Sequence, residues 1–147
     1  MFVVDTNILL YGADRDSPEH NKCRNLIQEL RRQPTPWYVT WGIIYEFLRV
    51  ATHPNVFRKP FKISEAWKFV EALFASPGLG ILSETERHQG IAEEVMKSLP
   101  HISGNLVFDL HTAVLMKEHG IKTIYTRDAD FHRFSFIEVV DPLQTTN

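Results

Sequence analysis

The fold of this chain is decided by its opening stretch, Met1-Phe2-Val3-Val4-Asp5-Thr6-Asn7 (residues 1–7). The short apolar run has the pattern of a buried strand, and it ends abruptly in a carboxylate, a hydroxyl and an amide. The apolar residues 8–11 follow at once and indicate that the chain turns straight into a helix. Because ligands in open α/β sheets bind outside the carboxyl ends of the strands, Asp5 stands where chemistry is usually done.

The rest of the chain alternates short strand patterns with longer helical ones. Ser17, Thr40 and Ser64 have the residue type and position of helix N-caps. The predicted helices cover residues 17–32, 40–52, 64 to the break at 77, 85–99 and 104–120, and the predicted strands cover 37–39, 80–82, 122–126 and 136–140. This alternation predicts a compact three-layer α/β/α fold with a short, mostly parallel central sheet.

Length and composition indicate one soluble domain. The chain has 147 residues, of which 44% are hydrophobic and 23% charged. We assign residues 1–142 to that domain and residues 143–147 to a polar C-terminal tail. No apolar run approaches the ~20 residues of a membrane span, no signal peptide is evident, and the single cysteine, Cys23, suits a reducing compartment. We therefore expect a cytoplasmic protein without membrane contact, and the net charge of −2 argues against an architectural nucleic-acid binder.

Acidic side chains stand at the ends or edges of several predicted elements. Asp5 and Asp128 each follow a strand directly, and Asp130 lies close behind. Glu46 and Asp109 border the buried faces of two predicted helices. Carboxylates that converge in one cleft repel one another at pH 7 unless a divalent cation neutralises them. Oxygen ligands favour Mg²⁺ or Mn²⁺, and such a cation suits phosphodiester chemistry.

Each acidic residue also has a purely structural interpretation. Asp5 would then cap the helix that follows it, and Glu46 would form a surface ion pair with Arg49. Asp109 would make a single hydrogen bond on its helix, and residues 128–130 would form a turn. Thr6 and Thr126 are plain caps in that case. Residue type and spacing alone leave both interpretations open.

Four blocks that contain these acids follow one another from one end of the chain to the other. They are Val3-Val4-Asp5-Thr6-Asn7, Glu46-Phe47-Leu48-Arg49-Val50 with His53-Pro54, Gly104-Asn105 leading to Asp109-Leu110-His111-Thr112-Ala113, and Thr126-Arg127-Asp128-Ala129-Asp130-Phe131. In this order, and at these helix and strand positions, they resemble the four motifs of the PIN-domain nucleases and, within that family, of the VapC toxins.

The resemblance implies a PIN fold and an endoribonuclease that depends on Mg²⁺ or Mn²⁺. It also implies the toxin of a type II toxin–antitoxin pair, inhibited by a VapB-like antitoxin. By position, the resemblance assigns the acidic site to Asp5, Glu46, Asp109 and Asp128, makes Asp130 a further candidate ligand, and gives Thr6, Asn7 and Thr126 a supporting role by hydrogen bonds. His111 and Thr112 stand where many family members carry small apolar residues, which we expect to alter the lip of the site.

The two arguments together suggest a mechanism of in-line attack by water on an RNA phosphodiester. Asp5, Asp109 and Asp128 hold the metal in this hypothesis. Glu46 orients the attacking water or holds a second metal. The sequence does not distinguish one metal from two.

Basic residues near these motifs are candidates for RNA contacts. Arg49 and Arg127 contact phosphate or else form salt bridges within the acidic cluster. Arg58, Lys59 and Lys62 form a local RNA grip or else a solvated face.

Aromatic residues are concentrated in one stretch of the chain, at Phe57, Phe61, Trp67, Phe69 and Phe74. They form the core of one helix and its loop, or else a hydrophobic groove for an antitoxin segment or a second subunit. We expect a homodimer.

Two other kinds of function compete with a nuclease. A haloacid-dehalogenase-like phosphatase also starts from an aspartate after a strand, but it wants a second aspartate two residues on, where Asn7 stands. A non-catalytic RNA- or partner-binding module would keep the fold, but four unneutralised carboxylates would repel phosphate. The histidines show no metal-ligand spacing, so the sequence gives no reason to expect zinc.

Overall fold

The computed structural model describes residues 1–144 and is built around a five-stranded sheet. The strands are β1 (Phe2–Val4), β2 (Trp37–Thr40), β3 (Leu79–Leu82), β4 (Thr123–Tyr125) and β5 (Glu138–Val140). Their order across the sheet is β3-β2-β1-β4-β5, and all four pairings are parallel. The predicted α/β architecture with a mostly parallel central sheet is confirmed.

Helices flank the sheet. They are α1 (Thr6–Ala13), α2 (His20–Arg32), α3 (Trp41–Ala51), α4 (Ile63–Phe74), α5 (His88–Ser98) and α6 (Leu106–His119), and a short 3₁₀ helix covers Ala129–Arg133. Helix α1 packs against α2 and α3, α5 packs against α6, and α3 contacts both α4 and α6. Helices α3 and α6 therefore lie side by side, which brings the second and third acidic blocks together.

The centre of the sheet is the most buried part of the molecule. Val3 and Val4 of β1 and Ile124 of β4 are fully buried. Near-continuous apolar runs are typical of parallel strands, because helices cover both faces. The strand order reverses at β1, since β2 and β3 lie on one side of it and β4 and β5 on the other. The carboxyl end of β1 is thus the switch point at which ligands bind in such sheets.

Helix starts show both the strength and the limit of the sequence patterns. Thr40 is the N-cap of α3, as predicted, and its hydroxyl accepts the Ile43 N–H at 3.0 Å. Ser17 is wrong as a helix start, because its side chain accepts the N–H of Glu19 in a turn and α2 begins only at His20. This serine uses its hydroxyl on a local turn in the same way that it would have used it on a helix.

The next two predicted starts are also displaced. Helix α4 begins at Ile63, one residue before the predicted cap Ser64, and the Glu65 side chain accepts the Lys62 N–H at 3.1 Å. Helix α5 begins at His88 rather than at Thr85, whose N–H donates to Glu118 at 2.8 Å. The Thr85 hydroxyl accepts the Arg87 N–H at 3.2 Å, so Thr85, like Ser17, uses its side chain on a local turn before the helix.

Other features bear on the sequence predictions. Cys23 is fully buried, and burial raises the pKa of its thiol to about 11, so it is a packing residue. No helix within residues 1–144 has the length and apolar content that a bilayer crossing requires. Of the predicted polar tail, Leu143 packs partly buried against the core, and residues 145–147 lie outside the described residues.

Candidate active site

Asp5 ends β1 and caps α1, so its carboxylate is fixed at the switch point of the sheet. Its Oδ1 accepts the Thr6 N–H at 2.8 Å, and its Oδ2 accepts the hydroxyl of Thr126 at 2.8 Å. The residue is only 7% exposed. The capping interpretation of Asp5 is correct, but it accounts for one oxygen only, and the other oxygen is held by the strand end of β4.

Thr126 connects three parts of the site from a fully buried position after β4. Its hydroxyl donates to Asp5 and accepts from the side chain of Asn7 at 2.9 Å and from the N–H of Asp128 at 2.9 Å. These bonds use the hydroxyl completely, since it has one donor and two acceptor positions. Asn7 and Thr126 therefore hold the first and fourth acidic blocks in a fixed relation.

A second group of carboxylates lies beside Asp5. Asp109 in the first turn of α6, Asp128 and Asp130 each place an oxygen within 4.8 Å of the other two. Asp128 also accepts the Asp130 N–H at 2.9 Å, and Asp130 lies 3.6 Å from Arg133. The turn interpretation of Asp128 is correct as well. All the candidate ligand atoms of this group are carboxylate oxygens. Such ligands favour a hard divalent cation such as Mg²⁺ or Mn²⁺ and give no selectivity for zinc.

Glu46 reaches the same region from α3. Its Oε2 accepts the Thr6 hydroxyl at 3.2 Å, and the side chain is exposed. Glu46, Asp5 and Asp109 line one cavity of about 320 Å³. That volume is at the small end of the range for ligand sites, roughly 300–1,000 Å³.

The electrostatics of the cluster are those of acids without enough counter-charge. Burial raises the pKa of Asp5 to about 6, although Thr126 and the Thr6 N–H stabilise its ionised form. Burial also raises the pKa of Asp109 to about 7, and the charges of Asp128, Asp5, Asp130 and Glu46 add to that increase. The charges of all five predicted acids therefore act on one another, and a bound cation would favour the ionised forms of Asp5 and Asp109.

The rest of the cavity wall combines apolar and cationic groups. Tyr45 and Phe108 line it while remaining 67% and 70% exposed. Arg49 and the predicted lip residues His111 and Thr112 line it too. Neither aromatic residue is among the site residues predicted from the sequence, although each directly precedes an acid of the cluster, which is the signal that the sequence offers.

The remaining predicted RNA contacts lie elsewhere. Arg127 pairs with Glu19 at 3.1 Å and with Asp141 at 3.3 Å, so its salt bridges lie outside the acidic cluster and that alternative is wrong. Its contact with phosphate stays a prediction. Arg58 and Lys62 are exposed, and Lys59 lines a separate groove. That groove shares no lining residue with the cavity.

The separate groove, which we call the α1–α2 groove, has a volume of about 1,050 Å³. It runs along α1 and α2 and is bounded by the 57–61 loop and α4, with Phe57, Phe61 and Phe69 in its wall. Trp67 and Phe74 pack with Trp41 instead. The ring centroid of Phe74 lies 5.5 Å from that of Trp41 and 6.3 Å from that of Trp67. The five predicted aromatics therefore form two surfaces instead of one.

Comparison with known proteins agrees with this geometry. A model of the family described as PIN domain matches residues 2–137. The chain belongs to the PIN domain family. Its curated relatives include Ribonuclease VapC48 of Mycobacterium tuberculosis, 31% identical over 138 residues and 94% of each chain. Another is VapC ribonuclease Mb2897 of Mycobacterium bovis, 32% identical over 97% of this chain and 96% of the relative. Both relatives place the chain with the VapC proteins of that family.

Solved structures show the same fold. Mycobacterium tuberculosis VapC20, described as a Sarcin-Ricin loop cleaving toxin, matches with a TM-score of 0.67 at 18% identity, over 95% of this chain and 98% of that one. VapBC2 from Rickettsia felis, bound to a DNA fragment from their promoter, matches with a TM-score of 0.66 at 15% identity, over 95% and 96%. At these identities the likeness concerns the fold alone.

Proposed function

We propose that this PIN-domain protein is a metal-dependent endoribonuclease and the toxin of a type II toxin–antitoxin pair. The observation that carries the proposal is the group of Asp109, Asp128 and Asp130, whose oxygens lie within 4.8 Å of one another beside Asp5, with the pKa values of Asp5 and Asp109 raised to about 6 and about 7. Membership of the family and the ribonuclease names of its relatives supply the reaction class.

Each acidic residue has a distinct role in the proposal. Asp5, Asp109 and Asp128 would hold Mg²⁺ or Mn²⁺, and Asp130, whose oxygen lies within 4.8 Å of oxygens of Asp109 and Asp128, is a further candidate ligand. The cation, when bound, acts as a Lewis acid on the scissile phosphodiester and stabilises the leaving oxygen. Glu46, which Thr6 holds at 3.2 Å, orients the attacking water from the cavity side or joins a second cation. Thr126 and Asn7 keep Asp5 and Asp128 in register.

The cavity wall supplies the contacts to RNA. Arg49 is placed to contact a phosphate beside the acidic cluster. The exposed rings of Tyr45 and Phe108 are surfaces on which RNA bases can stack. Such stacking does not select one base over another, because every base has an aromatic face. Arg58, Lys59 and Lys62 lie away from the cavity, and their contact with a longer RNA stays a prediction.

Two further surfaces suit protein partners. The α1–α2 groove has the rings of Phe57, Phe61 and Phe69 in its wall and more basic than acidic side chains around them, which suits an antitoxin segment that carries both apolar and acidic residues. The exposed aromatic surface of Trp41 and Trp67 around Phe74 suits a homodimer contact. Charge reversal of Arg24 and Lys68 should weaken the antitoxin complex, whereas Trp67→Glu should lower the mass measured by light scattering to that of a monomer.

The experiment that tests the proposal is cleavage of total cellular RNA by the purified chain, with Mg²⁺ or with EDTA. Asp5→Asn removes one charge at the centre of the cluster. Glu93→Gln is a matched control, because it removes one charge from an exposed position on α5. Discrete fragments that require Mg²⁺ and Asp5, but not Glu93, support the proposal, and mapping their ends identifies the target.

A negative result separates the competing functions. Folded protein that binds Mg²⁺ calorimetrically but cleaves none of several RNAs would point to a different phosphoryl substrate. Folded protein that binds RNA but no Mg²⁺ would leave the non-catalytic binding module and exclude the enzyme described above.

A further inference from the structure

Three side chains with nitrogen and oxygen donors meet on the outer side of α6. Glu84 lies in the segment after β3, His88 is the first residue of α5, and His111 lies in α6. Each offers one ligand atom within 4.8 Å of the other two. The residues are 4 and 23 positions apart in sequence, which matches no local metal motif, and it is the packing of α5 on α6 that brings them together.

The donor types distinguish this group from the acidic cluster. Two imidazoles and one carboxylate are ligands that zinc prefers, and three protein ligands leave a fourth tetrahedral position open. Divalent cations of the later first row bind such nitrogen-containing sites far better than Mg²⁺ does. The donor atoms of the two groups therefore favour different cations, although His111 is only two residues from Asp109.

A buried carboxylate behind His88 prepares one of the imidazoles. Glu118 is 2% exposed, and its Oε1 lies 2.7 Å from Nδ1 of His88. The other oxygen of Glu118 accepts the Thr85 N–H at 2.8 Å, which fixes the carboxylate in place. A carboxylate at this distance keeps the proton on Nδ1, so the lone pair of Nε2 is the one available to a metal. This carboxylate–histidine pairing is the arrangement that orients metal-bound histidines in proteins.

The contact between His111 and Glu84 shows how far these two side chains would have to move to hold a metal. Nε2 of His111 lies 2.7 Å from Oε1 of Glu84. Ligands about 2.0–2.1 Å from a tetrahedral zinc ion lie about 3.3 Å apart, so this pair has to open by about 0.6 Å. The side chains of His111 and Glu84 are 39% and 52% exposed, which leaves them free to make that movement.

We propose that Glu84, His88 and His111 form a zinc site that joins the start of α5 to α6, with Glu118 as the positioning residue of His88. This site does not depend on the nuclease proposal. Its fourth position faces a water molecule or an external ligand. The competing interpretation is a pair of hydrogen bonds, His111 to Glu84 and His88 to Glu118, that needs no metal.

The test uses the full chain, stripped with EDTA and then titrated with Zn²⁺ or Co²⁺ in excess Mg²⁺, which occupies the oxygen sites. We expect one Zn²⁺ per chain by calorimetry, a rise in the melting temperature, and the intense visible absorption of tetrahedral Co²⁺. His88→Gln should weaken Zn²⁺ binding at least about 100-fold, more than the loss of an outer-shell partner does. His101→Gln is the matched control, since His101 is exposed and outside the group.

Glu84→Gln provides a second variant, because Glu84 is exposed and does not touch Glu118, so the fold survives its replacement. Weaker Zn²⁺ binding in both variants, with an unchanged control, supports the site. Zn²⁺ binding that His88→Gln and Glu84→Gln leave unchanged, or no binding and no tetrahedral Co²⁺ spectrum, would overturn it and leave the hydrogen-bonded pairs.

Discussion

Helix α6 carries two acidic residues in opposite surroundings. Asp109 in its first turn is half-buried among other acids, and its pKa is raised to about 7 by burial and by those neighbouring charges. Glu118 in its last turn is almost wholly buried. Burial alone would raise the pKa of Glu118, but the Thr85 N–H and the His88 ring lower it below its ordinary value. Between these two acids of α6, the hydrogen-bond partners, more than the degree of burial, account for the opposite pKa shifts.

The helix dipole makes the contrast sharper. It favours a negative charge at the N-terminal end of α6, where Asp109 lies, and opposes one at the C-terminal end, where Glu118 lies. The pKa values run the other way. The chain therefore supplies hydrogen-bond partners to Glu118 from its own groups and surrounds Asp109 with other acids, as we expect if Asp109 is the cation ligand of the proposed function.

Removal of the carboxylate at each end should have different consequences, and the larger one concerns cleavage. Asp109→Asn keeps the size of the side chain and removes a carboxylate that we propose to be a metal ligand. We expect at least about a 100-fold loss of RNA cleavage in Mg²⁺, since even outer-shell changes at metal sites cost about 10–100-fold. Cleavage assays with matched amounts of folded protein measure this. Glu118→Gln should cleave at the normal rate once folded, and equal losses in the two variants would remove the distinction.

The second effect is the pH dependence of stability without metal. The native pKa of Asp5, about 6, exceeds its ordinary value of 3.8, so native protein binds this proton more tightly than unfolded protein does. Stability should therefore fall as pH rises from about 4 to about 6, by up to about 3 kcal/mol for this group. Asp109 extends the fall towards pH 7.

Urea unfolding of the wild type and of Asp5→Asn in EDTA, at several pH values, isolates that contribution. The amide in this variant cannot accept from both Thr6 and Thr126 as the carboxylate does, so the variant loses about 1 kcal/mol at all pH values. The difference between the two proteins should nonetheless move in favour of the variant as pH rises, and saturating Mg²⁺ should abolish the movement. A difference independent of pH would contradict the raised pKa of Asp5.

The third effect is the contribution of Glu118 and its hydrogen bonds to the free energy of unfolding. Glu118→Gln keeps the shape but weakens the bonds to His88 and to the Thr85 N–H, which should cost about 2 kcal/mol. A lowered pKa means that this stability is present above the ordinary glutamate value of 4.5 and is lost as pH falls through the lower native value. Glu94→Gln breaks the exposed pair with Lys117 and should cost under about 1 kcal/mol. A similar cost in both variants would show that the burial of Glu118 carries no special weight.

The same contrast explains how far the sequence predicts the site. Asp5 was identifiable because a strand pattern ends on it, and the order of the four blocks added Glu46, Asp109 and Asp128. Helix and strand periods place such residues at the ends and edges of elements, but residue type and spacing alone left their convergence open, and the resemblance to the four family motifs favoured it. The α/β architecture follows from the same periods and is confirmed by the structure.

The partners of these residues were less accessible. Glu118 and His88 are 30 residues apart, and nothing local connects them. Ser17 has the chemistry of a helix cap and of a turn alike, so only the surrounding chain selects between them. Arg127 follows a motif that predicts the active site, yet its long side chain reaches Glu19 and Asp141 instead. Direction of long side chains and contacts between distant elements are tertiary facts that no periodicity encodes.

The smallest expected effect concerns Arg49, the cationic side chain that lines the cavity beside the acidic cluster. Arg49 lines the acidic cavity and makes no salt bridge within residues 1–144, whereas Arg127 is held by two carboxylates. A free guanidinium is the one available to phosphate, so Arg49→Ala should weaken RNA binding roughly fivefold, about 1 kcal/mol. Its loss should also reduce the salt dependence of binding by about 0.7 in the log–log slope for single-stranded RNA.

Fluorescence anisotropy in the Asp109→Asn background measures this binding without cleavage. Lys97→Ala, an exposed cation on α5, is the control for a general change of charge. Arg127→Ala should weaken RNA binding less than Arg49→Ala does, because its charge is already shared between Glu19 and Asp141. The reverse order would mean that RNA releases Arg127 from its two partners on binding. The ion pairs of Arg127 in the free protein would then compete with RNA binding. The contrast between a charged group with partners inside the protein and one without them, drawn above for Glu118 and Asp109, would then no longer predict which arginine binds RNA.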